Sequence, residues 1–247
     1  MSALKTSVKR AFRTFGFRVN RVPKSTSLAY EDLFPFATYS PWNVDEAFIN
    51  AFDQIQSHTL VDKYRCYELW QLTEQASKLP EGAILEVGVW RGGTGALIAT
   101  QAQACGITDN VYLCDTFTGV VKATAMDETY GGGEHADTSP ELVTELARDM
   151  QLMNVEILQG IFPEDTGHEI GDQTFRLCHI DVDVYQSAKE IGQWVWDRLV
   201  PGGIVVYDDY GFQACDGVLK CVEEQRSLKD RIVLHNLNGH AVVVKVS

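Results

Sequence analysis

Leu85-Glu86-Val87-Gly88-Val89-Trp90-Arg91-Gly92-Gly93-Thr94 is the stretch on which the fold turns. Its first half belongs to a short apolar run over 84–89, the length of a buried strand, and residues 94–104 after it read as a helix. Glycines between a strand and a helix allow a tight turn and let a ligand approach the backbone. The spacing here is Gly-x3-Gly-Gly, not the GxGxxG of dinucleotide folds. It points to a nucleotide-type ligand without a pyrophosphate.

The alternation continues downstream. Strands are expected over 111–114, 155–158, 177–182 and 203–207, and helices over 140–150, 187–199 and 216–226, with Ser139 capping the first of these helices. Two β-rich runs, 231–237 and 241–246, flank Asn238-Gly239, a strong hairpin signal. Upstream, Ala47, Phe48, Ala51, Phe52 and Ile55 fall at helical spacing, and a second helical segment runs over 61–78 until Pro80-Glu81-Gly82 breaks it. Strands alternating with helices define an α/β fold with a mostly parallel sheet covered on both faces. The closing hairpin adds one antiparallel strand near the C-terminus. Ligands of such sheets bind at the carboxyl ends of the strands.

Composition narrows the class. The chain has 247 residues, 45% of them apolar, enough for one full core. No window approaches the roughly 18 consecutive apolar residues of a membrane span, and no signal peptide is recognisable, so a cytoplasmic protein is expected. Six scattered cysteines without CxxC spacing read as reduced core thiols. The net charge of −13 argues against nucleic acid as a partner. The charge is uneven: seven of the 21 basic residues lie in the first 30 positions, which hold no acid, leaving 14 against 34 acidic residues and a net of −20 beyond them. Residues 1–25 thus form a basic arm with interleaved apolar residues: a poorly ordered terminus, an arm packed on the acidic body, or an amphipathic helix in peripheral contact with an anionic membrane. Residues 26–247 are expected to form a single domain.

Three further features carry chemistry. Asp115 ends the strand 111–114, 29 residues after Glu86, where an acid can accept both hydroxyls of a ribose. His179-Ile180-Asp181-Val182-Asp183 and Tyr207-Asp208-Asp209-Tyr210-Gly211 each close an apolar strand. Four carboxylates converging at one sheet edge repel one another, and a hard divalent cation such as Mg²⁺ relieves that repulsion with oxygen ligands. Strand alternation would put Asp181 and Asp183 on one face. The polar, glycine-rich segment 122–139 is expected to be a lid. Its His135 is a candidate for substrate chemistry, whereas His179, inside an apolar strand, reads as structural.

Together with Gly160-Ile161-Phe162-Pro163-Glu164-Asp165-Thr166, these motifs resemble the macrocin O-methyltransferase family over about residues 60–247. That family includes metal-dependent methyltransferases acting on sugar hydroxyls of antibiotics. The resemblance implies a Rossmann-like, seven-stranded class I methyltransferase sheet. It implies that Glu86, Gly88, Gly92, Gly93, Thr94, Asp115 and Thr116 surround S-adenosylmethionine, with Gly160, Ile161 and Phe162 near the adenine. Asp181, Asp208 and Asp209 match the metal positions. Asp183 matches a position that could bind the methionine amino group, position substrate or act as base. Related catechol-type enzymes carry a lysine where this chain has Val184, so Asp181 is the first candidate for the proton acceptor. The implied acceptor is the hydroxyl of a small molecule or glycan, and a homo-oligomer is the family expectation. A hydroxylase-like enzyme on the same sheet and a non-catalytic binding module are the competing readings.

Overall fold

The computed structural model describes Tyr30, Glu31, Leu33 and residues 37–246. The basic arm of residues 1–25 lies outside the described residues. Contacts separate residues up to Ala37 from the unit Thr38–Ser247, which holds every helix and strand found among the described residues.

Two helices come first, α1 (Glu46–Ile55) and α2 (Lys63–Ala76), each started by an aspartate. Asp45 accepts from the Phe48 amide at 3.1 Å, and Asp62 from the Tyr64 and Arg65 amides at 2.8 and 3.3 Å. These caps satisfy amides that no helical carbonyl can reach. The chain then alternates: β1 (Ala83–Val87), α3 (Gly93–Ala104), β2 (Val111–Asp115), α4 (Pro140–Asp149), β3 (Val155–Gln159), β4 (Phe175–Ile180), α5 (Tyr185–Trp196), β5 (Leu199–Tyr207), α6 (Asp216–Glu223), β6 (Arg231–His235) and β7 (Ala241–Lys245). Ser139 caps α4 as expected, accepting from the Leu142 amide at 3.4 Å.

The seven strands lie in the order β3-β2-β1-β4-β5-β7-β6. The first five are parallel, and β7 inserts antiparallel between β5 and β6. Asn238-Gly239 sits in the β6–β7 connection, but the loop spans residues 236–240 rather than two residues, closed by the Asn236 amide on the His240 carbonyl at 2.9 Å.

Adjacent strand residues feed opposite layers. Leu85, Val87, Cys178 and Val205 pack with Ala188, Ile191 and Val195 of α5 and Val218 and Val222 of α6. Ile84, Leu113, Leu177 and Ile204 face Leu69 of α2 and Ile98, Ala99 and Ala102 of α3. Phe48 and Ile55 of α1 bind this second layer through Tyr67, Trp70 and Leu97. All six cysteines are free, five of them buried. Among the described residues no helix is long and apolar enough to cross a membrane.

Candidate active site

The carboxyl ends of β1 to β5 surround a cavity of about 310 Å³. Its first half is organised by Asp115 at the tip of β2. One oxygen accepts from the Val89 and Trp90 amides at 2.7 and 2.8 Å, the other from the Phe117 amide at 2.7 Å. A carboxylate has about four acceptor positions, so Asp115 fixes the glycine-rich loop and keeps capacity for a ligand hydroxyl. Gly88 is required by contact: at φ 88°, a Cβ there would lie 1.7 Å from the Asp181 carbonyl oxygen. Thr94, Thr116, Gly160 and Phe162 also line this half, and Phe162 is held edge-on to Trp194 at 4.8 Å.

The second half gathers Asp181, Asp183, Asp208 and Asp209. Asp181, Asp208 and Asp209 each offer an oxygen within 4.8 Å of the others. Burial first, and then neighbouring carboxylates, push Asp181 and Asp209 well above the usual carboxylate range. Asp208 goes the other way. Burial opposes its charge, but hydrogen bonds from His179 and His240 and the Arg65 guanidinium hold it far below that range. His179 is pushed to about 10: burial opposes its charge, and the bonds to Asp208 and Glu86 prevail. The donor set is all oxygen, and the upward shifts of Asp181 and Asp209 reflect crowded, buried carboxylates whose ionised forms a hard divalent cation would favour.

Asp181 and Asp183 meet in the cavity, but not through strand alternation. β4 ends at Ile180, and Asp183 sits at φ 64°, in the left-handed region. Its amide donates to Asp209 at 2.8 Å, its carboxylate is hydrogen-bonded by the Tyr130 hydroxyl, and the Cys215 thiol lies 3.7 Å away. Burial raises its pKa.

Segment 122–139 is tied down along its length. Lys122 pairs with Glu164 and Glu190, and Asp127 accepts from the Tyr185 amide at 2.8 Å, at the start of α5. Asp137 accepts from the Trp90 indole at 2.8 Å and from Arg91 at 2.5 Å. Tyr130 and His135 from this segment line the cavity. Asp137→Ala should free the Trp90–Arg91 clasp, speed amide exchange over 130–138 and weaken cofactor binding roughly twofold to fivefold, as loss of an exposed pair does.

Of the residues expected around the cofactor, Gly88, Thr94, Asp115, Thr116, Gly160, Phe162 and Asp183 line the cavity, whereas Glu86, Gly92, Gly93 and Ile161 do not. Glu86 is fully buried and turned to His179, 2.8 Å from its Nδ1. Gly92 and Gly93 are closely packed: a Cβ on Gly92 would sit 2.8 Å from Val143, and one on Gly93 2.6 Å from the His58 carbonyl oxygen. The Ile161 amide is spent on Asp165 at 2.8 Å. Sequence reasoning missed Arg65, Glu68, Cys215 and His240. Arg65, Glu68 and His240 lie far along the chain from the motifs they serve, and no local pattern marks Cys215.

The comparisons agree with this architecture. The family model described as macrocin O-methyltransferase (TylF) matches residues 50–244. The chain is 27% identical over 191 residues to mycinamicin III 3''-O-methyltransferase of Micromonospora griseorubida, covering 72% of this chain and 74% of that protein. It is 29% identical over 173 residues to the 8-demethyl-8-(2,3-dimethoxy-alpha-L-rhamnosyl)-tetracenomycin-C 4'-O-methyltransferase of Streptomyces olivaceus, covering 64% of this chain and 65% of that one. The solved O-methyltransferase NovP shares the fold at a TM-score of 0.66 and 24% identity, over 77% of this chain and 83% of that chain. With the family model matching most of the chain on this sheet, the chain belongs to the macrocin O-methyltransferase family and is an O-methyltransferase.

Proposed function

We propose that the chain methylates a sugar hydroxyl of a glycosylated small molecule or glycan, with a divalent cation, Mg²⁺ first among them, held by Asp181, Asp208 and Asp209. The supporting observation is the oxygen triad within 4.8 Å, on the wall of the same cavity as the Asp115-fastened loop. The related tetracenomycin enzyme is named for a rhamnosyl substrate, which supports the acceptor class. A bound cation would lower the pKa of a coordinated acceptor hydroxyl.

The chain's own groups do the rest. Asp115, through its remaining acceptor capacity, and the 88–90 loop that it fastens orient the methyl donor. Asp183, rather than Asp181, takes the acceptor proton, because Asp181 is committed to the triad while Asp183 stands beside it facing Tyr130. The acceptor oxygen attacks the sulfonium methyl in line, the carbon–sulfur bond breaks, and the proton ends on Asp183. Positioning of the two partners supplies much of the acceleration.

Calorimetric titration of S-adenosylmethionine and of Mg²⁺ into wild type, Asp115→Ala and Asp209→Ala tests this reading. Asp115→Ala should lose the methyl donor, and Asp209→Ala only the cation. A wild type that binds the donor but no divalent cation overturns the metal assignment.

A further inference from the structure

We propose that His240, oriented by Glu68, is a positioning residue for Asp208, so that the β6–β7 hairpin loop sets the geometry of the acidic half of the site. This rests on the reading of Asp208 as a cation ligand. Glu68 on α2 gathers three side chains of the loop: Asn236, Asn238 at 2.6 Å, and the Nδ1 of His240 at 2.7 Å. The other nitrogen of His240 lies 2.8 Å from Asp208 Oδ1. His240 is fully buried and does not line the cavity, whereas Asp208 does. The contact is therefore aimed at the carboxylate, not at a substrate.

The alternative supports for Asp208 are weaker or differently directed. His179 reaches the same oxygen only at 3.4 Å, and Arg65 holds the other oxygen from the cavity side. Without His240, Asp208 Oδ1 would keep only the 3.4 Å contact to His179, while Arg65 holds Oδ2. The same loop fastens the turn after β5: the Gly211 amide donates to the Gly239 carbonyl at 2.8 Å, next to Phe212, which lines the cavity. Outer groups that orient a metal ligand typically account for about 10- to 100-fold in metal affinity.

The test uses the full chain and Mn²⁺ as the probe. Free Mn²⁺ is followed by its paramagnetic resonance signal, and S-adenosylmethionine affinity is measured alongside as a check on the other half of the site. His240→Ala should weaken Mn²⁺ binding about 10- to 100-fold with donor affinity within about twofold. His240→Gln, whose amide nitrogen can reach the Nε2 position, should recover part of that loss, and Glu68→Gln should show an intermediate loss. If His240→Ala lowers thermal stability but leaves Mn²⁺ affinity unchanged, the loop is structural only and the proposal falls. If His240→Ala does not fold, the two glutamine variants decide, and wild-type Mn²⁺ affinity in both overturns it. A wild type that ignores Mn²⁺, or an Asp209→Ala that binds it like wild type, sinks the cation reading itself and the positioning role with it.

Discussion

Gly88→Ala should abolish S-adenosylmethionine binding and lower the melting temperature by roughly 5–20 °C. Two costs add at this position. The residue sits at φ 88°, where an L side chain costs about 1–2 kcal/mol. Its Cβ would meet the Asp181 carbonyl oxygen at 1.7 Å and the Asp181 carbonyl carbon at 2.6 Å. Those are backbone atoms at the end of β4, so no rotamer change relieves the overlap, and overpacking of this kind costs about 1–3 kcal/mol. For a domain of this size each kcal/mol is worth about 2–4 °C. The displaced strand ends would also carry Asp181 and the Val89 and Trp90 amides out of place, so both halves of the cavity should fail together. Thermal melts with calorimetric titration of the donor check this. A variant that melts like wild type and binds the donor would mean the β1–β4 contact is looser than described.

Asp183→Asn should cut kcat by about 10²- to 10⁴-fold, the usual worth of a positioned proton acceptor, with donor affinity unchanged. The substitution is clean because asparagine tolerates the left-handed conformation that Asp183 adopts at φ 64°. Burial raises the Asp183 pKa above the usual carboxylate value. The wild-type rate should therefore climb with pH through that raised value and level off above it, and the variant should lack this limb. Stability carries the opposite sign. A carboxyl whose pKa is higher folded than unfolded contributes stability below its unfolded value of 3.8, lost as pH rises through the folded value. Without a cation, Asp183→Asn should thus melt higher than wild type at neutral pH. Steady-state rates and melts across pH 5–9 check both signs. An unchanged kcat would return the proton to Asp181 or to another group.

The sheet and the order of its elements were legible because buried strands and amphipathic helices leave different periods in the sequence. The Asp115, Asp181, Asp208 and Asp209 positions were legible because a parallel sheet places the ends of its strands together. Less legible was anything that depends on residues crossing the fold. Glu86 sits in the glycine motif, yet its side chain turns inward to His179. Asp183 reaches the cavity by a left-handed turn that strand alternation does not foresee. Arg65 and Glu68, one turn apart on α2, meet Asp208 and His240 about 140 and 170 residues later, and only the packed structure reveals such pairs. The expected boundaries of α5 and β5 differ from the observed ones by a few residues: α5 already begins at Tyr185, whose amide Asp127 holds from a distant loop, and β5 at Leu199, before Pro201-Gly202-Gly203.

The placement of β7 between β5 and β6 has a consequence for synthesis on the ribosome. The last strand among the described residues is not an edge: it pairs with β5 through Ile204 to Tyr207 on one side and with all of β6 on the other. Until residues 241–245 emerge, β5 is the open margin of a five-stranded sheet, and β6 has no neighbour to pair with. A nascent chain growing at roughly 5–20 residues per second must hold β6 aside and then admit β7 into the gap. His240 arrives at the same moment, immediately before that strand. Completion of the sheet and delivery of the imidazole to Asp208 are therefore one late event, and a chain cut short before residue 240 would lack both.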